Sequence, residues 1–358
     1  MPNEETIFLT GFPGFIASRL LRRLAKEGSR FLLLVQPAFA ERAAEEVKHI
    51  ANESGGSSHF QILPGDITQP ELGLSTEDLS TARSQTTALF HLAAIYDLAV
   101  ELEVAMRVNL EGTRNVNQFA GSLSSLRHYH YVSTCYVAGK RKGVIYEQEL
   151  EHDAGFRNYY EETKYLAEME VDRLKSELPI TIHRPSVVCG DSNTGETAKY
   201  DGIYYLIHYL LKRPSLLSTF NIGNIEVTLN LVPVDFVVEA MSALAHDPLS
   251  IGKTVQLADP NPLTTSELFN TIARSIAGKE ARVTLPAGLV QTSLMLPLAP
   301  KITDLPHSAV PYFFLQQTYD TAGATRLLAP HGISCPPFQS YVKTIADYAT
   351  LHPVLSGP

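Results

Sequence analysis

The chain has 358 residues, 44% of them hydrophobic, enough to bury a sizeable core; at roughly 100 to 200 residues per domain, one to three domains are expected. A net charge of -9, spread along the chain without a basic patch, excludes the electrostatic footprint of a nucleic-acid binder. Cys135, Cys189 and Cys335 share no short spacing, which removes a cysteine zinc site and a disulfide framework and makes the cytoplasm the expected compartment.

Residues 1–5 lead straight into an apolar run, leaving no room for a secretory signal. β-Branched or leucine-rich runs at 6–10, 30–36, 60–63, 88–92, 129–133 and 181–183 read as strands. Between them, 15–26, 39–51, 101–120 and 160–176 carry apolar residues every three or four positions, as surface helices do. The alternation predicts an α/β fold of Rossmann type, a doubly wound parallel sheet with helices on both faces.

From 185 onward Gly190, Gly195, Gly202, Pro214, Gly223 and Pro233 interrupt shorter pieces, the pattern of a smaller C-terminal substrate-binding lobe. The expected division is 1–184 for cofactor binding and 185–358 mainly for substrate, with 229–257 returning to the first unit. The weakly polar stretch 285–300 is broken by Pro286 and Pro297 and falls short of the ~20 apolar residues of a membrane span.

Directly after the first strand comes Gly11-Phe12-Pro13-Gly14-Phe15-Ile16-Ala17. The glycines allow close approach of backbone to a pyrophosphate, and the free amides of a helix start attract it. Alone, such a pair is also an ordinary strand-to-helix turn; the flanking strand and helix favour a dinucleotide site. Asp66 and Ile67 follow the third strand, where an acid can accept from an adenine amino group, and Leu92, Ala93 and Ala94 close the fourth with small residues. At the end of the second strand, Gln36 offers neither the acid that binds a ribose hydroxyl nor the base that accepts a 2′-phosphate. With no acid there and Arg19 and Arg42 nearby, NADP(H) is preferred over NAD(H).

Tyr160 and Lys164 stand four residues apart at the start of a helix and share one face. A solvated helix face has the same spacing; the companions decide. The fifth strand ends in Ser133-Thr134 at the carboxyl edge of the sheet, where α/β ligands bind, and Thr134 suits the role of hydroxyl donor better than Ser133. Asn109 adds a helical amide that can order this neighbourhood.

In this order and spacing the chain resembles an extended short-chain dehydrogenase/reductase. More narrowly it resembles the acyl-thioester reductase branch: fatty acyl-CoA reductases, male-sterility-type reductases and carrier-linked thioester reductase domains. The residues are YVSTCYVAG at 131–139, NYYEETKYLAE at 158–168, HRPSVVCGDSNTG at 183–195, KYDGIY at 199–204 and Tyr319-Asp320-Thr321. Gln36 departs from it, standing where the family keeps an arginine.

The resemblance implies NADPH-dependent reduction of an acyl thioester, CoA-bound or carrier-bound, to aldehyde, with onward reduction to alcohol left open. Tyr160 and Thr134 hydrogen-bond the developing oxyanion, and Lys164 binds the nicotinamide ribose and lowers the phenol's pKa. It adds Pro185 and Val188 as cofactor contacts, and Tyr96, Cys135, Gly190, Tyr200 and Tyr204 as substrate contacts, with Tyr205 and segment 285–315 as further channel walls. It also implies a free-standing reductase without membrane-associated, adenylation or carrier regions. The loop run Lys140-Arg141-Lys142 is a candidate for CoA or carrier phosphates, though a solvated turn has the same composition. His128 and His130 alternate on a strand without a third ligand, which makes them structural. Two alternatives stay open: the same chemistry on a ketone, aldehyde, sterol or nucleotide sugar, and a cofactor-binding regulator without turnover. The oligomeric state is open as well.

Overall fold

The computed structural model of the chain describes residues 5–300 and 305–355; residues 1–4 of the N-terminal reading and 301–304 of the expected channel wall lie outside them. Seven parallel strands form the central sheet in the order β11-β7-β5-β4-β1-β2-β3. They are β1 (Thr6–Thr10), β2 (Arg30–Val35), β3 (His59–Pro64), β4 (Ala88–His91), β5 (His128–Val132), β7 (Ile180–Pro185) and β11 (Thr254–Leu257). All six strands expected from the sequence are present, with no end displaced by more than two residues.

Alternate side chains of these strands enter two cores, as the two-residue period of a strand requires. Ile7, Leu9, Phe31, Leu33 and Phe90 face one side, where α1 (Phe15–Leu24) and α9 (Val234–Ala245) pack. Phe8, Leu32, Leu34, Leu89 and Tyr129 face the other, under α3 (Thr76–Gln85), α5 (Gly112–Gly121) and α6 (Tyr159–Arg173). On the outer edge of β2 and β3, α2 (Ala40–Glu53) buries only Ala43 and Ile50.

Helix α3 is absent from the sequence reading because only Leu79 and Ala82 are buried in it, too few to create a period. Its visible signal was the cap: Ser75 accepts from the Asp78 amide at 3.1 Å. The helix expected at 101–120 is composite: α4 (Leu102–Ala105), a π-helical turn (Met106–Glu111) and α5. A Cβ on Gly112 would meet Ile67 Cδ1 at 2.7 Å, so the glycine is what lets this helix lie on the β3–α3 loop.

The remaining elements are β6 (Gly143–Ile145), β8 (Val187–Cys189), α7 (Tyr204–Lys212), α8 (Pro214–Leu217), β9 (Phe220–Asn221), β10 (Leu231–Pro233), α10 (Thr265–Ala277), β12 (Val283–Thr284), α11 (Ala287–Leu294) and β13 (Gln317–Tyr319). Pairs β6/β13, β8/β10 and β9/β12 lie outside the main sheet. Tyr204, Phe269, Tyr341 and Ile345 centre a third core between α7, α10 and the last helix, Phe338–Leu351. Segment 231–257 contributes β11 to the sheet edge beside β7 and α9 to the face beside α1. No helix among the described residues is long and apolar enough to cross a membrane.

Candidate functional site

Asn158 starts α6 by accepting the Glu161 amide at 3.0 Å, and Glu161 and Glu162 in the first turn suit the positive end of the helix. From this start Tyr160, Lys164 and Glu168 recur at four-residue steps, so all three point at the end of β5. The Lys164 ammonium donates to Tyr131 Oη at 2.9 Å and to the Val132 carbonyl at 2.8 Å. Burial brings its pKa down to about 7, against the opposing pull of Glu168.

Thr134 follows β5 in extended conformation, its hydroxyl accepting the Tyr136 amide at 3.2 Å. Burial pushes the Tyr160 phenol up, hydrogen bonding with Thr134 works the other way, and the charges of Glu161 and Asp201 add to the rise. The Lys164 ammonium is engaged by β5, and these influences together raise the Tyr160 pKa.

Behind this pair, Glu168 accepts from Arg184 Nε at 2.8 Å, from Arg184 Nη2 at 2.5 Å, and from the Ser133 hydroxyl. Arg184 also donates to the carbonyls of Glu147 and Glu149. Both charges are essentially without solvent, at 2% and 0% side-chain exposure. Ser133 thus belongs to this buried ion pair, which leaves Thr134 as the hydroxyl beside Tyr160.

At the sheet's switch point between β1 and β4, Gly11 adopts φ +90°, and a Cβ there would stand 2.8 Å from Ala93 N and Leu92 C. Only glycine lets the two strand ends approach this closely. Past Pro13, Gly14 begins α1 with no side-chain cap and no acid in the first turn. The amides beginning at Phe15 and Ile16 and the positive helix end thus fit a pyrophosphate. Thr10 accepts from Ala93 N at 3.2 Å and hydrogen-bonds His91 Nδ1 at 2.8 Å; burial and the Lys164 charge bring His91 down to about 3. Asn109 accepts from the Ile95 amide at 2.9 Å and donates to Thr163 at 3.1 Å, tying the loop after Ala94 to α6.

Gln36 donates to Asp66 Oδ2 at 3.0 Å, so the tips of β2 and β3 are joined. Ile67 packs into the core against Gly112, and its carbonyl accepts from Asn115 at 2.7 Å. Arg19 stacks on Phe15 and pairs with Glu196 at 3.1 Å, which commits it elsewhere. Arg42 is exposed and makes no hydrogen bond or ion pair among the described residues. Pro185 is buried at the end of β7, and Val188 packs against the α1–α9 core.

Tyr96 meets Tyr160 edge-on at 5.2 Å between ring centroids. It also lines a cleft with Asp97, Tyr136, Lys199, Asp201 and Tyr312. Tyr205 and Phe313 are shared with a second compartment, lined by Leu206, Ile222, Leu294 and Phe314.

Four expected substrate contacts are placed differently. The Cys135 thiol is buried and donates to the Arg184 carbonyl at 3.2 Å. Gly190 packs under Tyr204, its amide donating to Tyr204 Oη at 3.0 Å. Tyr204 is itself lobe core, at 1% exposure, and Tyr200 donates to the His352 carbonyl at 2.6 Å. One position along α7 is a turn of ~100°, so with Tyr204 inward it is Tyr205 that reaches the cleft. In the basic loop, Arg141 is held by Glu149 and the Ala138 carbonyl, leaving Lys140 and Lys142 exposed. His128 and His130 bond Thr181 and His183 inside the sheet. Sequence reasoning missed Tyr131, Glu161, Asp97 and Tyr312; Glu161 was adjacent to Tyr160, but nothing local marked Tyr312.

A family model described as male sterility protein matches residues 9–241. A fatty acyl-CoA reductase of Drosophila melanogaster, wat, is 24% identical over 68% of this chain and 54% of its own length. The large subunit of L-2-aminoadipate reductase from Penicillium chrysogenum is 26% identical over 73% of this chain and 20% of its own. The chain thus spans only part of these longer proteins. Among solved structures, the terminal R domain of the myxalamid PKS-NRPS biosynthetic pathway superposes with a TM-score of 0.82 at 26% identity, covering 100% of this chain and 93% of that domain. A thiolation-reductase di-domain from an archaeal non-ribosomal peptide synthetase shares the fold, with a TM-score of 0.76 at 17% identity over 98% of this chain and 77% of that one.

Proposed function

Since the chain belongs to the male sterility protein family of NAD(P)-binding oxidoreductases, we propose that it reduces an acyl thioester to the aldehyde, and the aldehyde onward to alcohol, with NADPH. The observation that carries this is the placement of the Tyr160 phenol beside Thr134 and edge-on to Tyr96, which itself lines the cleft. Bound NADPH supplies the hydride. Amides of the Gly14–Ile16 turn hold the pyrophosphate, Asp66 the adenine edge, Arg42 the 2′-phosphate and Lys164 the nicotinamide ribose.

Tyr160 and Thr134 donate hydrogen bonds to the carbonyl oxygen as negative charge develops on it. When hydride adds to the carbonyl carbon, the phenol proton passes to that oxygen and a hemithioacetal forms. Its collapse restores the C=O bond and expels the sulphur as thiolate, which is then protonated, leaving the aldehyde before the same donors. The first compartment carries Asp97, Lys199 and Asp201, and the second is apolar. This layout supports an acyl group with polar atoms near its carbonyl and an apolar end. The male-sterility relatives and the R-domain fold support a CoA- or carrier-bound thiol as the leaving group. The proposed compartment is the cytoplasm.

The test is oxidation of NADPH, and in parallel NADH, by a series of acyl-CoAs and acyl-pantetheines, with the product identified. Aldehyde or alcohol formed from thioesters is expected. Turnover of a ketone, sterol or nucleotide sugar with none of the thioesters would overturn the proposal.

A further inference from the structure

We propose that Tyr312, acting through Glu161, is a positioning residue that couples the wall of the acyl cleft to the proton donor Tyr160; this rests on the proposed carbonyl reduction. Glu161 follows Tyr160 directly on α6, and its side chain has no solvent exposure. It accepts from Tyr312 Oη at 2.6 Å, from the Arg157 amide at 2.9 Å and from Arg157 Nη1 at 3.3 Å. The same Tyr312 hydroxyl accepts from Asn158 Nδ2 at 2.8 Å, and Asn158 is the residue that caps α6. A single phenol, 4% exposed and 152 positions beyond Tyr160 in the chain, thus occupies both groups that set the start of the catalytic helix.

Tyr312 reaches the other donor as well. Its ring lies 4.6 Å from that of Tyr136, whose amide donates to Thr134. Tyr312 therefore touches the supports of Tyr160 and of Thr134 while it lines the cleft beside Ala309 and Phe313. Movement of this wall draws on both supports at once. A buried carboxylate is costly unless paired and hydrogen-bonded, and Arg157 and Tyr312 supply those partners to Glu161. Its charge acts on Tyr160 and Tyr136, raising the proton affinity of both. The other groups facing Tyr160 are Lys164 on its own helix, Tyr131 on β5, Thr134 after it, Tyr96 on the β4 loop and Asp201 from the lobe.

The experiment compares wild type, Tyr312→Phe and Glu161→Gln with octanoyl-CoA and with octanal, NADPH binding being followed by fluorescence. A misplaced donor costs on the order of 10- to 100-fold in kcat; that loss is expected for Tyr312→Phe on both substrates, with NADPH affinity unchanged. Glu161→Gln keeps an acceptor for Tyr312 and is expected within about threefold of wild type in kcat, with the Lys164-dependent alkaline limb unmoved. In 3-fluorotyrosine-labelled protein, the Tyr160 resonance, identified by its loss in Tyr160→Phe, should titrate earlier in Glu161→Gln.

Unchanged kcat and KM in Tyr312→Phe overturn the proposal, as does a Tyr160 resonance indifferent to Glu161. If Tyr312→Phe fails to bind NADPH and is misfolded, the fluorine titration of Glu161→Gln decides. Wild type that reduces octanal but no thioester would refute the thioester substrate and leave the coupling to be read on octanal; with no turnover at all, the fluorine titration alone decides it.

Discussion

Replacing Glu168 by Gln tests the buried ion pair behind the site. Glu168 takes two guanidinium hydrogen bonds from Arg184 and one from Ser133, and neither charge meets solvent. With a neutral amide in place of the carboxylate, Arg184 loses its counter-charge and keeps one amide oxygen and the carbonyls of Glu147 and Glu149. Removing one partner of a buried pair costs about 3–5 kcal/mol; the retained amide oxygen places this variant near the lower end. At 1.4 kcal/mol per decade, ~3 kcal/mol is about a hundredfold in the folding equilibrium. Denaturant midpoints with matched slopes measure it. A second consequence is electrostatic: Glu168 supports the Lys164 ammonium, so the alkaline limb of kcat/KM moves to lower pH. Replacing both partners by Met should recover most of the stability, because an apolar pair leaves no orphan charge. A loss under ~1 kcal/mol, or a double variant less stable than Glu168→Gln, would refute this account.

Tyr160→Phe removes the proton donor without altering shape, and kcat should fall ~10²- to 10⁴-fold with NADPH affinity retained; stopped-flow hydride transfer at an unchanged rate would count against it. Lys164 stands at about 7 instead of 10.5, so between these values the folded protein binds fewer protons than the unfolded chain, and this residue's penalty on stability is relieved as pH rises through that window. The ammonium is lost from the free enzyme over the start of the same window, so kcat/KM should fall as pH rises through 7; a flat profile there contradicts the role of Lys164. Arg42→Ala should raise KM for NADPH about tenfold, the size of one charge-assisted hydrogen bond, with KM for NADH unmoved; equal effects on both would transfer phosphate recognition elsewhere.

Much of the fold was legible because its strands are buried on both faces and read as uninterrupted apolar runs, as Phe31 to Val35 do. Helix α3 was not, since its two buried residues leave no period. Within the site, the four-residue steps from Tyr160 to Lys164 and Glu168 are helix geometry and need no tertiary information. The substrate side was harder. Tyr200, Tyr204 and Tyr205 are chemically alike and adjacent, and only the rotation of α7 against the lobe core decides that Tyr204 packs inward while Tyr205 meets the cleft.

By itself the sequence determined the turn at Gly11 and Gly14, the parallel sheet that a βαβ alternation implies, and the helix face shared by Tyr160 and Lys164, because each depends on local backbone geometry. Tertiary structure alone decided that Arg19 is spent on Glu196 while Arg42 is not, that Ser133 serves Glu168 and Arg184, and that Tyr312 closes on Glu161. Those partners are separated by up to 177 positions, and which charge or hydroxyl finds which is settled by how the lobe packs on the sheet, information that no local pattern carries.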